Sequence, residues 1–405
     1  MRKAKKTKST PSSQDKEFER LYRTIPSGYS NDSKNPLFDQ PPGRGKQAKG
    51  TAGKKQLKEP QPRWKQILKR TLIVLAIMLL LAGVWVGWKF IANGVKIFGW
   101  GGLKDIFTSK ELRGEDTGRV NILLAGNSAD DPGHGGAELT DSIMVVSINT
   151  KDNKGYILSI PRDLYVNIPG EGYAKINEAY QDGERSNFSE AGYAKGGMGL
   201  LQKTVGQQLD MKFHYYALVN YAALKQAVNA VGGVTITVDS TDPRGLYDPS
   251  PDLLNNYKPL VDLPNGKVKL NGTQALGLAR ARGNAYGAYG FGTSDFARTE
   301  HQRQLLLGLK SRATSASTLA NPVKIGKLFD SIGNNVETDF EISEIRRLYE
   351  IMKEIPNSRI KSASLNDANG VNLLQSYRTN SGQSALVPAA GVDNYTAIKK
   401  YLNSL

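Results

Sequence analysis

The chain has 405 residues, three histidines, no cysteine and a formal net charge of +16 at pH 7. That length allows two or three domains and a sizeable core, while the lack of cysteine excludes a disulfide scaffold, a thiolate metal site and a cysteine nucleophile. The charge is uneven: residues 1–70 hold 19 of the 54 Lys+Arg and only 6 of the 38 Asp+Glu, so the basicity belongs to a tail and gives no reason to expect a nucleic-acid partner for the body.

That tail, Met1 to about Pro62, contains seven of the 18 prolines and few large apolar side chains, so it is expected to be disordered. Thr71 to Trp88 is then 18 residues without a charge, about 27 Å as a helix and close to the hydrocarbon thickness of a bilayer. Trp64, Trp85, Trp88 and Trp100 flank it as an aromatic belt would, and Lys65, Lys69 and Arg70 sit on its N-terminal side. The segment is too long and too far from the N-terminus for a cleaved signal peptide. The reading is a single-pass membrane protein. Residues 1–70 would be a cytoplasmic tail near anionic lipid, 71–92 the transmembrane helix, 93–118 a juxtamembrane linker and 119–405 an extracytoplasmic domain.

In that domain Arg119–Ala125 reads as a buried strand ending at Gly126. Ser142–Asn149 and Gly155–Pro161 read as a hairpin around the polar turn 151–154. Helical spacing follows at 200–209, a strand at 213–219, a helix at 221–231 stopped by Gly232-Gly233, and a strand at 234–238. Two more helices are expected at 272–280 and 295–309, joined by a glycine-rich stretch. Alternating strands and helices indicate an α/β or α+β sandwich, a central mixed β-sheet covered by helices.

Three clusters can carry chemistry. Arg162 and Asp163 follow Pro161, which ends a strand, so they stand at a sheet end where ligands dock; a simple ion pair explains them equally well. Arg280 and Arg282 lie where a helix runs into a loop, and the planar arginine fork suits phosphate, although C-terminal charge on a helix dipole is the plain alternative. Asp295, Arg298 and Gln302 share one helical stripe, where Asp295 can also serve as a cap. Asp141 opens a strand of the hairpin and can act as a base, hold a cation or merely shape a turn. The stretch from Gly283 to Gly292, with Tyr286, Tyr289 and Phe291, reads as a mobile loop with apolar tips. The three histidines are too scattered for a zinc cluster, and no hydrolase triad or phosphate-cradling glycine loop appears.

Taken in order, Asn121–Gly126, Asp141-Ser142, Ser159–Asp163, Lys175–Asn177, Val231–Val234, Leu270–Gly272, Ala279–Arg282 and Asp295…Arg298…Gln302 resemble the LytR–CpsA–Psr family, from about Arg119 to the C-terminus. The resemblance implies a phosphotransferase that moves a glycopolymer from a polyprenyl-pyrophosphate carrier onto peptidoglycan or another wall acceptor, with magnesium. It implies that Arg162, Arg280, Arg282 and Arg298 clamp phosphate beside Gln302, that Asp141, Arg162 and Asp295 are catalytic, and that Asp141 and Asn127 face the metal. Three departures from the family's pattern stand out. Its glycine-x-aspartate-x-arginine stretch reads Gly126-Asn127-Ser128-Ala129 here, losing an acidic group and the arginine that follows it, while Leu139 and His301 stand where arginines are expected. These losses favour the alternative of a non-catalytic polyprenyl-phosphate-binding or scaffolding protein. The polyprenyl chain is expected in an apolar tunnel under helices drawn from 198–209, 221–231 and 303–309.

Overall fold

In β1 (Arg119–Asn127) successive side chains point to opposite faces, and both faces are apolar: Leu123 and Ala125 enter one core, Val120 and Ile122 another. A strand buried on both sides belongs in the middle of a covered sheet. The computed structural model describes residues 109–131, 139–292, 294–319 and 335–405. β1 pairs antiparallel with β2 (Thr140–Asn149), which pairs antiparallel with β3 (Lys154–Ile160). β4 (Tyr165–Ile168) and β5 (Gly172–Lys175) form a separate hairpin. Next come α1 (Glu178–Arg185), α2 (Gly196–Leu209), β6 (Tyr215–Val219), α3 (Tyr221–Ala230), β7 (Val234–Val238), β8 (Leu246–Asp252), β9 (Lys258–Leu263), β10 (Gly266–Leu270) and α4 (Gly272–Arg280). The chain continues through α5 (Ser294–Ala313), α6 (Ala316–Leu319), β11 (Val336–Thr338), α7 (Ile342–Glu354), β12 (Ile360–Ser364), β13 (Leu374–Arg378), β14 (Ser384–Pro388) and α8 (Thr396–Asn403).

The main sheet has the order β11-β6-β1-β2-β3-β12. Since β6 is parallel to β1 and β12 to β3, four strands run one way and β2 and β11 run against them. This is the expected mixed sheet with helices on both faces. Leu123, Val145 and Leu158 face α2 and α8, where full burial of each leucine contributes about 1.5–3 kcal/mol. Ile122, Met144 and Ile157 face the opposite core, with Phe340 and Ile351. A third cluster lies beside the sheet, where α3 and α4 cover β7, β8, β9 and β10 and Leu305 of α5 joins them.

Residues 109–118, the end of the linker expected from sequence, are part of this body. Leu112 is buried in the second core and Arg113 pairs with Asp339 at 2.7 Å. One apolar side chain in a polar stretch gave too little pattern to read as core. The tail, the expected span at 71–92 and the rest of the linker lie outside the described residues; among the described residues no helix is long and apolar enough to cross a membrane.

Where α1 meets α2 the backbones touch through glycines. A Cβ on Gly197 would lie 2.4 Å from the Tyr180 carbonyl oxygen, a backbone atom that cannot swing away. Gly197→Ala should therefore destabilise the protein by about 1–3 kcal/mol through overpacking, read as a lower thermal midpoint. An unchanged midpoint would mean that α1 and α2 pack more loosely than described.

Candidate active site

The register of β1 on β2 slips at one point. Gly126 pairs with Ser142 but Asn127 pairs with Thr140, so Asp141 is the extra residue of a β-bulge. Bulges re-aim side chains and recur beside active sites. Asp141 forms an ion pair with Arg162, and its carbonyl accepts a hydrogen bond from Arg298 at 3.4 Å. Arg162 leaves β3 through Pro161, and its own carbonyl accepts the Asn177 N–H at 3.3 Å. The loop after β5 thereby braces it, and the Asn177 carbonyl in turn accepts from Thr140 at the start of β2.

α4 brings in the next arginine. Asn271 and Gln274 close a capping box at its N-terminus, and the chain becomes extended at Ala281, with ψ 134. Arg280 therefore ends the helix and Arg282 begins an extended run. Arg280 donates to Asp252 at 3.0 Å, lies 3.6 Å from Asp131 and stands 5.1 Å from the Tyr221 ring centre. Arg282 is half-buried and, among the described residues, has no hydrogen-bond or ion-pair partner. Gln302 ties the pieces together: Ser142 donates to its Oε1 at 2.9 Å, and its Nε2 donates to the Ala279 carbonyl at 2.9 Å.

Thus Asp141, Arg162, Arg280, Arg298 and Gln302 gather at one end of the main sheet, beyond the carboxyl ends of β1, β3 and β6, where open sheets bind ligands. Asn127 is buried at the same end, with Oδ1 facing the Ala129 N–H at 3.4 Å. Asp295 lies in the first turn of α5, but its side chain is outside the described residues. Leu139 precedes β2 and is half-buried.

Several residues here gave no signal in the sequence. Asp252 and Asp131, nearly fully buried, hold Arg280, and Asp248 accepts the Gly283 N–H at 3.1 Å. Asp252 precedes Arg280 by 28 residues, a separation to which no local periodicity applies. Tyr221 sits between the charges: burial raises its pKa, Arg280 opposes that shift, and Asp141 and Asp131 add to it. Arg303, next to Gln302, is buried and donates to Ser362 at 2.6 Å and Ser159 at 2.8 Å, so it fastens α5 to β3 and β12.

An apolar cavity of about 220 Å³ starts one helical turn beyond Gln302, between the sheet and helices α5 and α7. Its walls include Ile122, Leu124, Ile157, Leu306, Leu307 and Met352. The expected lining is corrected in part. Leu306 and Leu307 of the expected segment 303–309 do face it, whereas α2 covers the other sheet face and α3 belongs to the side cluster. Strand alternation explains the difference, since it sends Leu123 and Leu158 to α2 but Ile122 and Ile157 to α5 and α7.

The model of the LytR_cpsA_psr family matches residues 103–387. The chain belongs to the LytR–CpsA–Psr family. It is 33% identical over 229 residues to the polyisoprenyl-teichoic acid–peptidoglycan teichoic acid transferase TagU of Oceanobacillus iheyensis, covering 56% of this chain and 61% of that one. It is 31% identical over 233 residues to the regulatory protein MsrR of Staphylococcus aureus strain COL, covering 57% and 59%. The crystal structure of B. subtilis TagV superposes with a TM-score of 0.52 at 26% identity, covering 71% of this chain and 96% of that one. The alignments span about three fifths of the length of the curated relatives.

His301 packs edge-on against Phe291, with ring centres 5.6 Å apart, and its buried Nδ1 has no hydrogen-bond partner among the described residues. Burial lowers its pKa to about 4, against a small opposing pull from Glu300. The folded state thus binds fewer protons than the unfolded chain between about pH 4 and 6.5, so this group's contribution is intact above pH 6.5 and is lost as pH falls towards 4. Its contribution to the slope should approach 1.4 kcal/mol per pH unit at the steepest point. Unfolding measured from pH 7 to 4.5 should show a shallower acid loss in His301→Gln than in wild type. Parallel curves would mean that His301 is solvated.

Proposed function

We propose that the protein is a phosphotransferase that moves a glycopolymer from a polyprenyl-pyrophosphate carrier onto peptidoglycan or another wall acceptor. The observation that carries this reading is the gathering of arginines from three segments at one sheet end, with an apolar cavity farther along the same sheet, walled by Leu306 and Leu307 of the helix that carries Arg298 and Gln302. A lipid pyrophosphate has that division, an anionic head on an apolar tail. The name of the TagU relative, a teichoic acid transferase, points the same way.

In this reading an acceptor hydroxyl attacks the phosphorus next to the sugar. The bond to the lipid-side phosphate breaks, and polyprenyl phosphate leaves with the electron pair. Asp141 takes the hydroxyl proton, with Asp295 as the second acid. Arg162, Arg280, Arg282 and Arg298 orient the pyrophosphate and neutralise charge on its oxygens, which is most of what phosphoryl transfer asks of a protein. Arg282, with no partner among the described residues, offers its whole fork to phosphate. Gln302 holds the Ser142 and Ala279 segments in register for this. The cavity is smaller than the roughly 300–1,000 Å³ of a small-molecule site, so a long isoprenoid requires α5 and α7 to part.

Magnesium prefers oxygen ligands and is usually held by one or two carboxylates together with substrate phosphates. Among the described residues no three His, Asp or Glu side chains form a metal cage. The donors present fit an ion carried in by pyrophosphate, held by Asp141 and the Asn127 amide oxygen. When bound it would add positive charge at the phosphoryl oxygens.

The second reading, a non-catalytic binding or scaffolding protein, is favoured by the two neutral side chains Asn127 and His301 where the family pattern carries charge. Assayed as glycopolymer transfer by the full-length chain with magnesium, Arg280→Lys should lose one to two orders of magnitude in rate, about 1.4–2.8 kcal/mol of barrier, because lysine keeps the charge but not the fork. Lipid retention should change far less. Equal rates would remove the clamp from catalysis, and lipid binding without turnover in wild type would favour the second reading.

The proposed topology is a single span with residues 1–70 cytoplasmic and the body outside. Protease added to spheroplasts should trim the body and spare the tail. The opposite pattern would reverse the orientation.

A further inference from the structure

Two of the segments that hold the arginines also carry the most exposed aromatic side chains among the described residues. Tyr286 is fully exposed and Tyr257 is 72% exposed, with Leu253 beside it at 57%. We infer that Tyr257 and Tyr286 form a sugar-binding rim beside the phosphate clamp, on which the pyranose rings of a glycan chain stack. This rests on the reading of the clamp as a glycopolymer site and names where the sugars lie.

The mounting of both rings supports it. Tyr257 has φ +59, following Asn256 at φ +53. A bulky side chain in the left-handed region costs of order 1–3 kcal/mol and persists only where its surroundings hold it. Here they do: the Tyr257 N–H donates to the Asp252 carbonyl at 3.0 Å, while the Asp252 side chain accepts from Leu254 N–H at 3.1 Å and from Arg280 at 3.0 Å. The orientation of this turn is therefore locked to the clamp.

The loop bearing Tyr286 is pinned at both ends to β8. Gly283 N–H donates to Asp248 at 3.1 Å, and Tyr289 exchanges backbone hydrogen bonds of 3.0 and 3.1 Å with Tyr247. The Tyr247 and Tyr289 rings stack at 5.2 Å, and the Arg244 guanidinium covers Tyr289 at 3.7 Å. Gly290 then passes so close to Gly245 that a Cβ would sit 1.9 Å from its carbonyl oxygen. The loop expected to be mobile is strapped down, and Tyr286 is its exposed aromatic.

An exposed tyrosine on a rigid mount offers an apolar face with a polar tip and little ordering cost on binding. A sugar ring has the matching surface, an apolar C–H face edged by hydroxyls. The two anchor points, Asp248 and Asp252, lie on either side of a bulge in β8, so the two rings stand on separate mounts, as suits several linked sugars rather than one. A bilayer is the less favoured occupant, because β1 carries the chain towards the arginine end, placing the rim at the opposite sheet end from where residues 109–118 enter.

The test uses the full-length chain in detergent with chitotetraose, a tetramer of N-acetylglucosamine, followed by calorimetry and saturation-transfer NMR. Tyr257→Gly and Tyr286→Ala should each weaken binding about tenfold, while Tyr257→Phe should stay within about twofold. Tyr257→Gly should keep or raise the thermal midpoint, since glycine adopts positive φ without strain, so its loss of binding cannot be attributed to unfolding. Arg280→Lys should still bind the tetramer. If that variant also transfers glycopolymer at the wild-type rate, the clamp reading fails while the rim stands. The rim is overturned if wild type binds no tetramer or if the double variant Tyr257→Gly/Tyr286→Ala binds it undiminished. Loss of binding to phosphatidylglycerol vesicles by that double variant, with tetramer binding intact, would overturn it in favour of the bilayer.

Discussion

Gathering guanidinium groups at one end of a sheet opposes itself electrostatically, and much of the local structure answers that constraint. Like charges gathered in a partly dry site repel one another, so Arg162, Arg280 and Arg298 need partners before any ligand arrives. Asp141 supplies it for Arg162, and Asp252 with Asp131 supplies it for Arg280. Arg298, almost fully buried, turns to the Asp141 backbone. Each carboxylate also fixes the direction of a fork, so the same contacts that make the empty site tolerable leave it oriented.

The folding pattern follows from the need to deliver these carboxylates. Asp141 reaches Arg162 because the bulge against Gly126 and Asn127 takes it out of the ladder. Asp252 reaches Arg280 because β8 and β9 form an arm beside the main sheet, packed on α4 through a shared apolar cluster. Gln302 and Arg303, adjacent on α5, hold opposite sides of this arrangement: one ties β2 to the end of α4, the other ties β3 to β12. A shift of α5 would therefore disturb every arginine at once, which makes this helix the common support of the site and of the cavity wall.

The sequence was informative where physics is local. The apolar run in Arg119–Ala125, the polar turn at 151–154 and the Gly232-Gly233 stop all produce the elements they predict. The arginine, aspartate and glutamine positions stood out because runs such as Ala279–Arg282 and Asp295–Gln302 are ordered motifs. The strands of the β8–β9 arm escaped notice because Pro249 and Pro251 interrupt their alternation, and helix α7 because nothing near it carried chemistry. Asp252 and Asp131 were invisible for a different reason: their role exists only once distant segments meet. The cavity wall was misassigned because periodicity shows that a helix has an apolar face but not which sheet face it covers.

The departures from the family pattern acquire a physical sense in this setting. On the proposed reading, the resemblance implies an acid and an arginine lost from the stretch 126–129 and arginines lost at Leu139 and His301, which would leave the site with less positive charge. Arg303 does not make up the deficit, because its guanidinium is spent on Ser159, Ser362 and Glu300. His301 goes further: with burial holding its pKa near 4 it stays neutral at ordinary pH and presents an aromatic edge to Phe291. Phe291 in turn packs against Gly283, whose added Cβ would lie 2.3 Å from that ring. Where an arginine would bring a charge, His301 brings a contact that anchors the glycine-rich loop. On the proposed reading the trade is coherent. Fewer charges remain to hold phosphate, and a loop held in place beside the clamp leaves recognition to depend more on the sugars that follow the phosphate.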